Sequence, residues 1–147
     1  MQIVPYAPWH LREIALQPHQ QHLGLALREQ GWAEQVHQAG PCWTALVDGR
    51  PIGCGGFQEC WEGRAIAWAI LGAEAGRHMM ALTRAVRRGL ARHPAVRIEA
   101  QALVGFRPAA RWARLLGFVP EALLRKFHQG RDYQAFVLIK DEATQWR

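Results

Sequence analysis

The sequence predicts one α/β domain over residues 1–147, with about seven strands and four helices in the order β-α-α-β-β-β-α-β-α-β-β. Three observations carry this. Arg64 to Leu71 is a nearly unbroken apolar run that suits a strand covered on both faces, although a buried helix would share its composition. It is followed by Gly72 and Gly76 and then by Met79, Leu82, Val86 and Leu90, whose spacings of three and four give a helix one apolar face. Beyond that helix, Val96, Ile98, Ala100 and Ala102 alternate with Arg97, Glu99 and Gln101, the period of a strand.

The other elements follow from local signals. Ile3 to Tyr6 is a short apolar stretch containing Pro5, which suits an edge strand. Trp9 to Gln17 reads as helix, and Pro18 opens a new element because it fits a first turn and not a helix interior. His19 to Gln38 carries a helical pattern interrupted at Gly31, giving two helices or one with a bend. Cys42 to Val47 and Pro51 to Glu59 read as strands joined at Asp48-Gly49, a strong hairpin signal. Gly53, Gly55 and Gly56 mark a bulge or a close approach to the backbone. Trp61-Glu62-Gly63 turns the chain into the apolar strand. Arg107 to Leu116 has Pro108 near its start and Gly117 after its end, the punctuation of a helix. Glu121 to His128 and Tyr133 to Lys140 form a last hairpin about residues 129–132.

Composition narrows the classes. Half the residues are hydrophobic and a fifth charged, a globular profile in a chain long enough to bury a core without staples. No 18-residue apolar run and no basic, apolar leader is present, so neither a membrane span nor a signal peptide is expected. The cytoplasm, or a particle assembled there, is the expected location. Eighteen basic residues against twelve acidic ones give +6, which favours acidic ligands or nucleic acid; genome composition rich in G and C would also raise arginine. Arg84, Arg87, Arg88 and Arg92 read first as a solvated helix face and second as a nucleic-acid or partner contact. No nucleic-acid recognition motif is present, so nucleic acid has the least support as a partner. Cys42, Cys54 and Cys60 form no Cys-x-x-Cys pair and the histidines no ligand motif, so no metal is expected.

A strand, a glycine turn and a helix place backbone N–H groups and the positive end of a helix dipole at the strand's carboxyl end. A phosphorylated cofactor is expected at Gly72 to Arg77. The element order resembles the GNAT (GCN5-related N-acetyltransferase) superfamily over nearly the whole chain. Its most specific piece is Ala109-Ala110-Arg111-Trp112-Ala113-Arg114-Leu115-Leu116-Gly117-Phe118, similar to the family's helix ending in Leu-Gly-Phe. The hairpin at Asp48 to Gly53 fits the same family. His10 to Ala15, Cys42 to Ala45 and Thr83 to Arg88 resemble phage-encoded members, including relatives of the internal virion protein A of T7-like phages.

The resemblance implies a mixed central sheet and acyl-CoA chemistry with acetyl-CoA or another acyl-CoA. Two parallel strands, Arg64 to Leu71 and Val96 to Leu103, would splay at their carboxyl ends to admit the pantetheine arm. Backbone around Ile70 and Leu71 would hold that arm, and Gly72, Gly76 and Arg77 the pyrophosphate, while Arg111 and Arg114 would reach the far end. Trp68, His128 and Tyr133 are candidates for the acceptor pocket, and Glu99 for a general base; a solvated strand carboxylate and ordinary packing are the competing readings. Departures from the family pattern are specific. The phosphate loop keeps one glycine, Phe106 stands at the usual asparagine, Ala113 at the thiolate-protonating tyrosine, and Trp68 where a base is common.

Three functional readings follow. The first is an N-acyltransferase acting on a small-molecule or protein amine, phage- or prophage-encoded by the resemblance. The second is a catalytically inactive phage protein of the same fold with a structural or host-interaction role. The third, with the least support, is a basic nucleic-acid-binding module. A second copy of the chain, as a homodimer, or a phage particle is among the expected partners.

Overall fold

A computed structural model describes residues 1–17, 20 and 31–140. Among these residues the chain forms a mixed seven-stranded sheet, order β1-β2-β3-β4-β5-β7-β6, and four α-helices. Its Cα packing resolves into two units. One comprises Met1–Gln58 and Trp68–Ala85, the other Glu59–Ala67 and Val86–Arg147.

In the first unit β1 (Gln2–Pro5) runs antiparallel to β2 (Cys42–Val47), and β2 runs antiparallel to β3 (Arg50–Trp61). Asp48 and Gly49 both have positive φ, 50° and 75°, the geometry of a tight turn whose twist matches that of its strands. β4 (Arg64–Leu71) occupies the range its apolar run predicts. Its last two residues explain why that run is unbroken. Ile70 is buried with Tyr6, Leu11, Ile14, Ala33 and Cys54, while Leu71 packs against the separate cluster of Ala45, Ile52, Ala75 and Leu82. With successive side chains pointing to opposite faces, both need to be apolar.

Helix α1 (Pro8–Glu13) is shorter than the predicted Trp9 to Gln17. Its start is fixed by His10, whose Nδ1 accepts the Ala7 N–H at 3.0 Å and meets the Thr44 hydroxyl at 2.9 Å. His10 is buried, and desolvation lowers its pKa. The helix ends where Ile14 turns extended, φ −69° and ψ 124°, and Leu16 forms an antiparallel bridge with Gly72. Helix α2 (Trp32–Ala39) begins after Gly31, whose φ is 107°. Most of the helical pattern predicted before Gly31 lies outside the described residues.

After β4 the chain winds as a 3₁₀ helix over Ala73–His78 and then as α3 (Met79–Arg92). The predicted open glycine turn is therefore already helical. Gly72 ends the strand where a side chain has no room. An added Cβ would lie 2.9 Å from the Ile52 carbonyl oxygen and 3.1 Å from that of Ala15.

In the second unit Arg64, Ala65 and Ile66 pair in parallel with Arg97, Ile98 and Glu99 of β5 (Arg97–Leu103). β5 pairs antiparallel with β7 (Arg131–Ile139), and β7 with β6 (Val119–His128). The last turn is tighter than the predicted four residues: Gln129 and Gly130, both at positive φ, suffice. Helix α4 (Arg107–Leu115) starts at the predicted Arg-Pro. Ala65, Ile98, Ala113, Phe118 and Phe136 form the buried side, with Phe136 only 1% exposed.

Phe136→Ala should lower the unfolding free energy by about 3–5 kcal/mol, the usual cost of emptying a buried aromatic site. Urea denaturation checks this. A loss near zero would mean the ring is not enclosed.

Candidate cofactor site

The two backbone edges of β4 have different partners at its carboxyl end, because N–H groups alternate in direction along a strand. Gly72 N–H donates to Ile52 of β3 at 2.7 Å. The opposite edge faces the chain that follows α1. Leu71 N–H donates to the Gln20 side-chain oxygen at 3.4 Å, and Ala73 N–H donates to the Ala15 carbonyl at 2.8 Å. Gln17 Nε2 donates to the Gly72 carbonyl at 3.3 Å, and Leu16 bridges to Gly72. This segment lies against the end of β4 like a short extra strand. Periodicity missed it by carrying α1 to Gln17. The available signal was Pro18, since the residue before a proline avoids helical geometry.

The amides offered to an anion are thus partly committed. Those of Gly72 and Ala73 serve the fold, and Ala75 N–H donates to Gly72 at 3.1 Å. Openness begins at Gly76. It is exposed, and an added Cβ there would meet nothing within 4 Å. Arg77 follows, exposed to solvent, and so does Glu74 on the preceding turn. Gly76 and Arg77 can accept a diphosphate group; Glu74 opposes one by its charge. Leu71 can pair with an extended amide-bearing arm once Gln20 releases it.

The remaining predicted residues are distributed as follows. Ile70 and Leu71 contribute backbone, since both side chains belong to core clusters. Arg111 and Arg114 are exposed on α4, and the Arg114 guanidinium carbon lies 5.7 Å from the centre of the Phe136 ring. Trp68 stands edge-on to Tyr6 at 6.2 Å and to Trp32 at 6.1 Å, packed against the Ile70 cluster. Its Nε1 is buried without a hydrogen-bond partner among the described residues. His128 and Tyr133 are brought together across the β6–β7 hairpin, ring centres 6.2 Å apart, with Phe127 5.6 Å from Tyr133. Burial raises the Tyr133 pKa.

Glu99 departs most from its expected part. It is the third residue of β5, opposite Ile66, and it pairs with Arg64 through two hydrogen bonds and with Arg97 at 3.3 Å. Arg97 also pairs with Glu121 on β6, and the Arg64 guanidinium lies 4.4 Å over Trp61. The Arg64 hydrogen bond, opposed by desolvation and assisted by both guanidinium charges, holds the Glu99 pKa below the usual carboxylate value. A carboxylate so stabilised is a poor base. Sequence alternation placed Glu99 on a strand face but could not show which cations shared that face.

No protein-family model and no curated protein matches the sequence. Solved structures do match its fold. A spermidine N-acetyltransferase SpeG chimera from Vibrio cholerae and hSSAT superposes with TM-score 0.70 at 14% identity, covering all of both chains. Ard1 from Thermoplasma volcanium gives 0.70 at 15% identity, over 96% of this chain and 98% of its own. A ribosomal-protein-S5-alanine acetyltransferase from Vibrio fischeri gives 0.66 at 17% identity, over 96% and 93%. The chain has the GNAT acetyltransferase fold.

The Glu99 pKa lies below its unfolded value, so the stability it contributes is present above the ordinary carboxylate value and is lost as pH falls through the lowered one. NMR titration of the Glu99 side chain should give a midpoint below 4.5. A midpoint above that value would restore Glu99 as a base candidate.

Proposed function

We propose that this protein is an acyl-CoA-dependent N-acyltransferase, with acetyl-CoA or a similar thioester as donor and an amine as acceptor. The observation that carries the reading is the end of β4, where a strand edge at Leu71 leads directly into a helical start with open space at Gly76 and a cation at Arg77. The fold supports it, since its solved neighbours include acetyltransferases.

The fit of the donor to these residues is partial. Gly76 and Arg77 would hold its diphosphate, and the Leu71 edge would hold its extended arm after Gln17 and Gln20 let go. The bound donor would supply an activated acyl carbonyl whose C–S bond breaks as the new C–N bond forms. The chain's own part is mainly positioning. Leu71 N–H, once freed, is a donor to an oxygen lying along the edge, and holding two reactants in line can supply several orders of magnitude. No carboxylate stands on β4 from Arg64 to Leu71, and Glu99 is held ionised by arginines, so the amine would have to arrive neutral. Its proton would pass to solvent or to the departing thiolate, because Ala113 has none to give.

One group of observations favours the second reading, an inactive protein of the same fold. The Gly72, Ala73 and Ala75 amides are already bonded within the chain, and the tyrosine and asparagine positions hold Ala113 and Phe106. A phage or prophage origin, with a role in the particle or toward the host, rests on the sequence resemblance at His10 to Ala15, Cys42 to Ala45 and Thr83 to Arg88 alone.

Isothermal titration separates the two. The wild-type protein should bind acetyl-CoA with micromolar affinity, and Gly76→Glu, which meets no steric obstacle, should weaken binding at least about tenfold through charge repulsion. No saturable heat from folded wild-type protein would leave the second reading.

A further inference from the structure

The positive charge of this protein is concentrated. Residues 75–120 hold nine of its eighteen basic residues and one of its twelve acidic ones, Glu99, whereas the rest of the chain has nine basic and eleven acidic. G- and C-rich coding would enrich arginine throughout but would not remove Asp and Glu from one segment. Helix α3 is the clearest part. It contains Arg84, Arg87, Arg88 and Arg92 and no carboxylate, and no acidic residue occurs anywhere from 75 to 98.

The helix geometry gathers these side chains. Arg84, Arg88 and Arg92 stand four apart and so share one row, with Arg87 beside it, opposite the arc that holds Leu82 and Leu90 in the core. All four arginines are exposed, and among the described residues none forms an ion pair. Like charges at this spacing repel and weaken a helix, so the row costs stability without a compensating partner among the described residues.

We propose that this arginine row docks the phosphodiester backbone of a nucleic acid, without reading its sequence. Three guanidiniums in a row with a fourth beside them match a repeating anion, and each fork can take two phosphate oxygens. The alternatives fit less well. Protein interfaces centre on buried aromatic or apolar anchors, and anionic membranes are gripped by basic helices that also insert apolar side chains. The large apolar side chain exposed on α3 is Met80, at its first turn; from Arg84 to Arg92 the face between the arginines offers Ala91. The row is separate from the cofactor reading. It runs from about 8 Å to about 20 Å beyond the start of α3, at 1.5 Å per residue. It therefore stands or falls independently of acyl transfer.

The test uses the full chain and a fluorescein-labelled 20-nucleotide single-stranded RNA, followed by anisotropy across a salt series. The wild type should bind at low salt with affinity falling steeply as salt rises. The triple variant Arg84→Gln, Arg88→Gln, Arg92→Gln keeps helix propensity and should lower the slope of log affinity against log salt by about 2, or about 0.7 for each phosphate contact removed. Far-ultraviolet circular dichroism of the same variant should match wild type, which shows that it is folded. The proposal is overturned if wild type does not bind RNA at low salt, if the slope is unchanged in the variant, or if poly-L-glutamate or phosphatidylserine vesicles of equal charge compete as well as unlabelled RNA.

Discussion

Much of the first unit depends on how tightly Gly72 is held. Its N–H is bonded to Ile52, its carbonyl receives Gln17, and a side chain there would collide with the carbonyls of Ile52 and Ala15. This clamp ends β4, sets the start of the 3₁₀ turn and so aims α3. It also joins the segment after α1 to the strand edge that a thioester carrier would need. Cores transmit such constraints because they are packed with few voids. The same bonds that order the site therefore also cover part of it.

That covering gives the protein a definite energetic character. The contacts of Ala15, Gln17 and Gln20 with β4 are a few exposed or part-buried hydrogen bonds, each worth about 0.5–1.5 kcal/mol net. A ligand that replaces them with its own bonds along the same edge loses little, whereas one that makes fewer bonds cannot displace them. Leu71 is bonded at 3.4 Å, the weakest of the set, and is where release would begin. The interaction at Ala73, at 2.8 Å, is the firmer anchor.

The sequence showed the architecture where periodicity was unambiguous. The eight-residue run ending at Leu71, the Asp48-Gly49 turn and the Arg-Pro start of α4 all appear as read. Ends were less legible. α1 stops at Glu13 because tertiary hydrogen bonds to Gly72 and Ala73 outweigh local helical tendency, and no pattern in Trp9 to Gln17 encodes partners 55 residues away. The contacts of the candidate site residues were not legible. Gly76 and Arg77 are exposed, but the amides before them are committed, and the cations around Glu99 come from β4 and from two residues earlier on its own strand. Charge segregation was present in the sequence throughout. Its meaning needed the helix, which shows that the arginines share one exposed face.

The central proposal is that an acyl-CoA arm lies along the edge turned away from β3 at Leu71 to Ala73. Amide NMR on labelled protein tests it directly. Adding acetyl-CoA to saturation should shift the Leu71 and Ala73 amide resonances and abolish the through-space contacts between Leu16 and Gly72, while the Gly72 amide, bonded to Ile52 of β3, stays protected from exchange. If acetyl-CoA saturates the protein and the Leu16–Gly72 contacts persist with those resonances unmoved, the edge is not the binding surface and the account fails.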